Sequence, residues 1–571
     1  MRGRSVFLVA GILALAFLVS ACSGSKSQTQ GSGGGVDRSN FNALGTFPIV
    51  KEKETINVML AATRAEFNAD TNWMTKFYED KTNVHVNWTI VPVAQYKEKV
   101  NLALASDEPL DLIVAGGHSQ TMFVMTDILK FAEQGLILPI QDYLESDSVY
   151  FKQRLDEIPG WRNVITLPNG GIYQYPSAND CFHCQYYEKE WVNTEFLKNL
   201  NLKVPTTIEE FHDMLVAFKT RDANGNGDPN DEIPIMGAID NFGTKVSSYL
   251  MNAFIFDDGL NRLFLENGKV VAAFTRPEYQ EGLKYINQLY KEGLVSKDSF
   301  TQTGANRSKL NSVKYESIIG VIPNTHHGGM GSRETGEPVR WIDYEPIPPL
   351  KGPHGMQITR YSYYDKFQTE RAAAFLPSSS KNPALVTRWL DWLVSDEGTM
   401  TLIFGEKGTS WTDADPGTTG PDGRPAVYKT LTMLPTHPLY NNFNWDQLFP
   451  NFRTENFRLT QQTPENMRDP TGEGAERFLY IKTKENYAPY GEPLDMLFPP
   501  LYYATEDVSE IATLTTNINT YVEESIAKFI VGDLNINTDW NAFQTNLKNL
   551  GIDRYIEINQ KTYDGSAFAK K

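Results

Sequence analysis

Between Ile56 and Val114 strand-like and helix-like segments alternate, and no other feature of the chain limits its fold so strongly. Ile56-Asn57-Val58-Met59-Leu60 has a strand pattern and runs into the polar loop Asn68-Ala69-Asp70-Thr71-Asn72-Trp73. A helix is predicted from about Trp73 to Lys81. Val84, Val86, Trp88 and Ile90 then alternate with polar residues, as a second strand does. A further helix is predicted over roughly 95–105. Leu110-Asp111-Leu112-Ile113-Val114 is the short apolar run of a buried parallel strand, and it ends in Gly116-Gly117-His118. This order predicts an α/β fold, a parallel sheet with helices on both faces. Such sheets hold ligands at the carboxyl ends of their strands. Asp70, Trp73 and His118 are therefore candidate ligand residues, although each also reads as a cap or core residue.

The chain has 571 residues, enough for two or more domains or two large lobes. Its 70 acidic residues against 53 Lys and Arg give a charge of -17, which excludes nucleic acid as a partner because phosphate binding needs a basic footprint. The start is of another kind. Arg2 and Arg4 precede a 14-residue apolar run, Val6 to Val19, too short for a bilayer span of about 20 residues and suited to a secretory signal over 1–21. Leu18-Val19-Ser20-Ala21-Cys22 resembles a bacterial lipobox, so Cys22 is expected to carry lipid, palmitate included, and to anchor the chain outside the cytoplasm. Losing Arg2 and Arg4 and no acid takes the charge from -17 to -19. Ser23 to Gly35 holds five Gly and four Ser in 13 positions, a flexible tether that extends to about Thr46.

Two cysteines remain, in Cys181-Phe182-His183-Cys184. An exported chain favours a short disulfide here. Free thiols, a redox pair and half of a zinc site are the alternatives.

Farther on, Thr207 and Glu210 have capping-box spacing, and Ile208, Phe211, Leu215 and Phe218 form an apolar helical stripe. The helix leads into Asp222-Ala223-Asn224-Gly225-Asn226-Gly227-Asp228-Pro229-Asn230-Asp231-Glu232. Oxygen-bearing side chains at positions 1, 3 and 5 followed by Gly match the start of a calcium loop. Asp222, Asn224, Asn226, Asp228, Asp231 and Glu232 are the candidate ligands of a structural Ca²⁺. The loop is no EF-hand proper, since Glu232 stands at position 11 and not 12, and a polar loop of Asx turns is the alternative.

Several segments resemble the large, lipoprotein-type extracellular solute-binding proteins of bacterial carbohydrate ABC importers, a family with alginate-oligosaccharide-binding members. They include Phe131-Ala132-Glu133-Gln134-Gly135-Leu136, Val204-Pro205-Thr206-Thr207-Ile208-Glu209-Glu210-Phe211, the stretch from Phe218 through the acidic loop to Ile233-Pro234, Tyr290-Lys291-Glu292-Gly293-Leu294-Val295, Trp392-Leu393-Val394-Ser395-Asp396-Glu397-Gly398, and the tail from Asp539-Trp540 to Asn559-Gln560. The chain departs from the pattern within the loop, where three residues instead of two follow Asn226-Gly227 before Asp231-Glu232-Ile233-Pro234.

The resemblance implies a periplasmic-binding-protein-like fold: two α/β lobes, crossing hinge segments, and a cleft that closes on ligand. The lobes would be 47–175 plus 321–405 and 176–320 plus 406–571. The chain would cross near Tyr175, return near Gly320-Val321-Ile322-Pro323, and cross again at Gly405 to Trp411. It further implies a monomeric, lipid-anchored binding protein, without enzymatic activity, on the extracellular face of the membrane, which delivers a sugar to ABC permease subunits. Aromatics make up 12% of the chain. Sugars lay apolar faces on such rings while their hydroxyls meet polar groups. Trp161, Asn179, Asp180, His326, Tyr361 and Trp411 join Asp70, Trp73 and His118 as candidates near strand ends or crossings. Leu385, Trp389, Trp392 and Leu393 have core spacing instead. The acidic body disfavours anionic sugars unless the cleft is locally basic. A secreted glycoside hydrolase or lyase is the rival reading, but nothing in the sequence marks a carboxylate pair, a Gly-x-Ser-x-Gly elbow or a His-Glu-x-x-His helix. An importer component for peptides or lipids is the third.

Overall fold

The computed structural model describes residues 37–566 and 568–569, apart from 63–66, 107, 117–120, 122, 158–160, 333–337, 363–370, 432–436 and 438–441. Cys22, the apolar run before it and His118 lie outside the described residues. Residues 1–39 separate as a unit from 40–571. In the first, Asp37 Oδ1 accepts from Ser39 N at 2.9 Å.

In the second unit β1 (Glu54–Ala62), α1 (Trp73–Thr82), β2 (Val84–Pro92), α2 (Tyr96–Ala105) and β3 (Leu112–Val114) follow in the predicted order. β1 lies between the other two strands and parallel to both, with Glu54 opposite Val84 and Val58 opposite Leu112. Val58, Met59 and Leu60 are all buried, as a strand covered on both faces requires. Asn72 Oδ1 accepts from Thr75 N at 3.3 Å and starts α1; Asn83, at φ 60°, ends it. The sheet is not wholly parallel. Ala374–Phe375 adds an antiparallel edge beside β3, and Arg371–Ala372 pairs antiparallel with β4 (Phe123–Val124), which leads directly into α3 (Met125–Glu133).

Leu385, Trp389, Trp392 and Leu393 are buried as their spacing predicts. Two residues from much later in the chain complete that aromatic core. Trp445 lies 5.7 Å from Trp389 and 4.6 Å from Phe449, between ring centroids, and its indole Nε1 donates to Thr75 Oγ1 at 3.0 Å.

The second sheet has the order Tyr344–Ile347, Glu190–Asn193, Ile319–Pro323, Ile233–Ile235. Only its last pair is parallel. Helix Ile208–Thr220 belongs to the core beside it, burying Ile208, Phe211, Leu215 and Phe218. The capping box forms in altered shape. Thr207 Oγ1 accepts from Glu210 N at 3.2 Å, but the Glu210 carboxylate closes on Thr206 N and Oγ1, both at 2.8 Å, instead of on the cap residue.

Two expected crossings are corrected by these pairings. Ile319–Pro323 is hydrogen-bonded to Glu190–Asn193 and Ile233–Ile235, so the chain is still in the second sheet there. Among the described residues it next pairs with the first sheet at Ala374–Phe375. Nor does the chain leave the first core for good at Gly405–Trp411. After a hairpin of Trp411–Asp413 with Tyr428–Thr430 it re-enters at Trp445–Phe449, and Asn444 Nδ2 hydrogen-bonds Ile403 O.

Candidate functional site

Strands and hydrogen bonds lash the crossing segments to one another. Phe452–Arg453 runs parallel to Ala178–Asn179, Tyr175 N donates to Ala374 O at 2.8 Å, and Ser362 N donates to Gln185 O at 2.6 Å. Beside them a pocket of about 310 Å³ opens between the two sheets. That is the lower end of the volume range for small-molecule sites, roughly 300–1,000 Å³. The first-sheet side contributes Val124, Met125 and Thr126 at the start of α3. The second-sheet side contributes Phe256, Asp258 and Leu263. Arg360, Ser362, Glu492 and the apolar run Leu497–Tyr503 complete the wall.

Burial dominates the electrostatics. It pushes the Glu492 carboxyl up to about 8, against the opposing pull of the Tyr361 backbone amide and Arg360. It raises Glu188 well above the usual range, with Asp257 adding to the effect; Asn252 Nδ2 donates to Glu188 Oε2 at 2.6 Å. It lowers Lys189 to about 7, while the ammonium donates to His183 O at 2.8 Å. The resulting wall combines apolar and aromatic surface with a few fixed polar groups. Such a wall can hold an uncharged, hydroxyl-rich molecule.

None of the described residues expected from the sequence lines this pocket. Tyr361 comes nearest, between Arg360 and Ser362, stacked on Tyr186 at 5.1 Å. Asn179 and Asp180 lie on the first crossing, where Asp180 Oδ1 accepts from Gln185 Nε2 at 2.9 Å. Asp70 is exposed and Trp73 stacks on Phe77 at 4.9 Å. His326 follows the end of Ile319–Pro323, its Nδ1 accepting from Gly328 N at 2.9 Å. Trp411 donates from Nε1 to Gly405 O at 2.9 Å in the hairpin. Trp161 is fully buried, 4.7 Å from Phe452, and packs as a core residue. The pocket residues carry no motif. Phe256, Arg360 and Glu492 come from loops far apart in the chain, so no spacing could have found them.

Cys181 and Cys184 are joined in a disulfide with Cα atoms 5.2 Å apart. His183 between them lies 3.3 Å from Glu476, which also pairs with Arg458 at 3.0 Å. Burial raises the Glu476 carboxyl, but Arg458 and His183 together outweigh it and hold the group far below the usual range.

In the acidic loop Asp222 accepts from Gly225 N at 2.8 Å and from Gly227 N at 2.9 Å. The amides of Asn224 and Asn226 reach Asp231 at 3.2 and 2.8 Å, and Asn226 also reaches Glu316 at 3.0 Å. Asp228 Oδ1 turns back to Asn230 N at 3.1 Å. Glu232 Oε1 accepts from Asn224 N at 3.2 Å, while its buried Oε2 has no hydrogen-bond partner among the described residues. A buried carboxylate oxygen left bare amid this many acceptors fits a hard cation.

The model of one family, described as bacterial extracellular solute-binding protein, matches residues 60–400. The fructooligosaccharide ABC transporter substrate-binding protein FusA of Streptococcus pneumoniae is 27% identical over 528 residues, 91% of each chain. The solved structure of S. pneumoniae FusA in complex with kestose has 26% identity and a TM-score of 0.72, over 90% of this chain and 100% of that one. An EF-hand mutant of S. pneumoniae FusA in complex with fructo-nystose has 25% identity and a TM-score of 0.69, with the same coverage.

Proposed function

The chain belongs to the bacterial extracellular solute-binding proteins, and on that premise we propose that it captures an oligosaccharide between its two lobes and delivers it to an ABC permease. The observation that carries this reading is the pocket walled from both sheets beside the lashed crossings, where hinge bending would close one wall on the other. A ligand touching both walls binds the closed state better and shifts the population toward it. The FusA relatives are named as transporter binding proteins for fructooligosaccharides, which favours this reading over a hydrolase, a lyase or a peptide carrier.

The lobes are best divided with the observed pairings: residues 371–405 and 445–449 go with the first sheet, and 190–347 with the second. The lipobox supports lipidation at Cys22, with the tether letting the monomeric body stand off the membrane. Asp222, Asn224, Asn226, Asp231 and Glu232 would hold a structural Ca²⁺, for which the bare Glu232 Oε2 and the EF-hand named in the FusA relative speak. When bound, the ion would neutralise the acids of one surface loop.

The test is a panel of oligosaccharides, peptides and lipids read by thermal shift and small-angle scattering. A sugar at 100 times its dissociation constant should stabilise by about 2.7 kcal/mol, and the protein should contract. Turnover of the sugar, or scattering unchanged at saturation, would refute capture by closure.

A further inference from the structure

Two buried polar atoms of the pocket wall are left bare. Glu492 is 2% exposed and Ser362 5%, and both line the pocket. Glu492 Oε2 is taken by the backbone N–H of Tyr361, whereas Oε1 has no hydrogen-bond partner among the described residues. Ser362 spends its N–H on Gln185 O, at 2.6 Å, and its Oγ is likewise without a partner. Bare buried polar atoms are costly, about 1–3 kcal/mol each, and are rare unless something else completes them. Two of them on one pocket wall mark where a ligand's polar groups go.

The surroundings limit what that ligand is. Glu492, Asp258 and Arg360 share the wall, and Arg360 is the cation that acts electrostatically on both Glu492 and buried Glu188. With the two glutamic acids kept neutral by burial, Arg360 and Asp258 leave the wall, among the described residues, without net positive charge for an anionic ligand. The lining also holds Phe256, Leu497 and Phe498, apolar surface suited to the C–H face of a sugar ring. At about 310 Å³ the space suits a short stretch of glycan and not a long one.

Building on the proposed function, we infer that Glu492 and Ser362 form the hydroxyl-reading end of a subsite for a neutral oligosaccharide, and that this subsite rejects uronates. The carboxyl and the serine hydroxyl each give and accept hydrogen bonds to ring hydroxyls. A uronate brought there would place its carboxylate beside Asp258 and against a Glu492 carboxyl that burial already keeps from ionising.

Isothermal titration of the intact protein with kestose, raffinose, maltotriose, cellotriose and trigalacturonate tests this. The expected result is binding of at least one neutral trisaccharide and none of trigalacturonate. For that neutral sugar, S362A and E492Q should each weaken binding about tenfold, while Y315A, a change at an exposed residue outside the pocket, should not. S362A keeps the inference testable if E492Q fails to fold. Wild-type affinity in a folded S362A or E492Q would overturn the subsite and leave the proposed function standing. Preference for trigalacturonate would overturn the ligand class. Binding of none of the five sugars would overturn the subsite as drawn. Silence across the broader sugar panel as well would remove the proposed function beneath it.

Discussion

Replacing Trp445 by alanine asks whether the segment after the hairpin belongs to the first lobe. The indole is 1% exposed, packed against Trp389, Phe449, Trp88 and Tyr78, with ring centroids 4.6–5.7 Å away. Truncating a core aromatic costs about 3–5 kcal/mol, because transfer free energy is lost and a cavity remains. Thr75 Oγ1 also loses its indole donor, about 1 kcal/mol more. At about 2–4 °C per kcal/mol for a unit of 150–250 residues, the melting temperature of the first lobe should fall by roughly 8–24 °C. Scanning calorimetry of W445A reads this directly. W445F, which keeps a ring and loses only the donor and some volume, should fall by less than half as much. The anchor also has a functional side, since Trp445–Phe449 leads straight into Phe452–Arg453, the strand that crosses beside Ala178–Asn179. A looser anchor should therefore weaken sugar binding in W445A even well below its melting temperature. A drop under about 3 °C with an intact circular dichroism spectrum would show that the segment is peripheral, and the division of the lobes would be wrong.

Three further outcomes are expected. Glu492 is held near 8 by burial, against about 4.3 in an unfolded chain, so the folded protein binds more protons between those values and its stability should decline as pH rises through them. Glu188 and Glu190, also raised by burial, act in the same direction, whereas Lys189, lowered to about 7, acts in the opposite one only above that pH. E492Q should flatten the fall in melting temperature between about pH 5 and 7, and parallel slopes for variant and wild type would contradict the burial argument. Chelator should lower the melting temperature of the wild type and leave D222A unmoved; an equal response in both would show that the Asp222–Glu232 loop is not the calcium site. C22S in the full-length chain should abolish labelling by a palmitate analogue and shift the protein from the membrane fraction to the soluble one, and unchanged fractionation would dismiss the anchor.

Local pattern made much of the scaffold legible. The order β1–α1–β2–α2–β3 could be read because strand and helix periodicity are properties of ten-residue windows, and because Asn72 and Asn83 cap α1 with their own neighbours. The stripes at Ile208–Phe218 and Leu385–Leu393 followed from the same arithmetic. Their core role needed no knowledge of what packs against them.

The crossings and the pocket had no such signature. The antiparallel edge at Ala374–Phe375, the place of Ile319–Pro323 in the second sheet and the return of Trp445 to the first core are pairings between distant segments. A strand's apolar pattern says that it is buried, but not beside which partner. Aromatic residues carry the same ambiguity: Trp161 and Tyr361 look alike as candidates, yet one is core and the other flanks the pocket. The sequence by itself determined the fold class and the acidic loop, both written in contiguous residues. Only the tertiary structure decided where the pocket lies, because Asp258, Arg360, Ser362 and Glu492 become neighbours through long-range packing that brings three unremarkable loops to one wall.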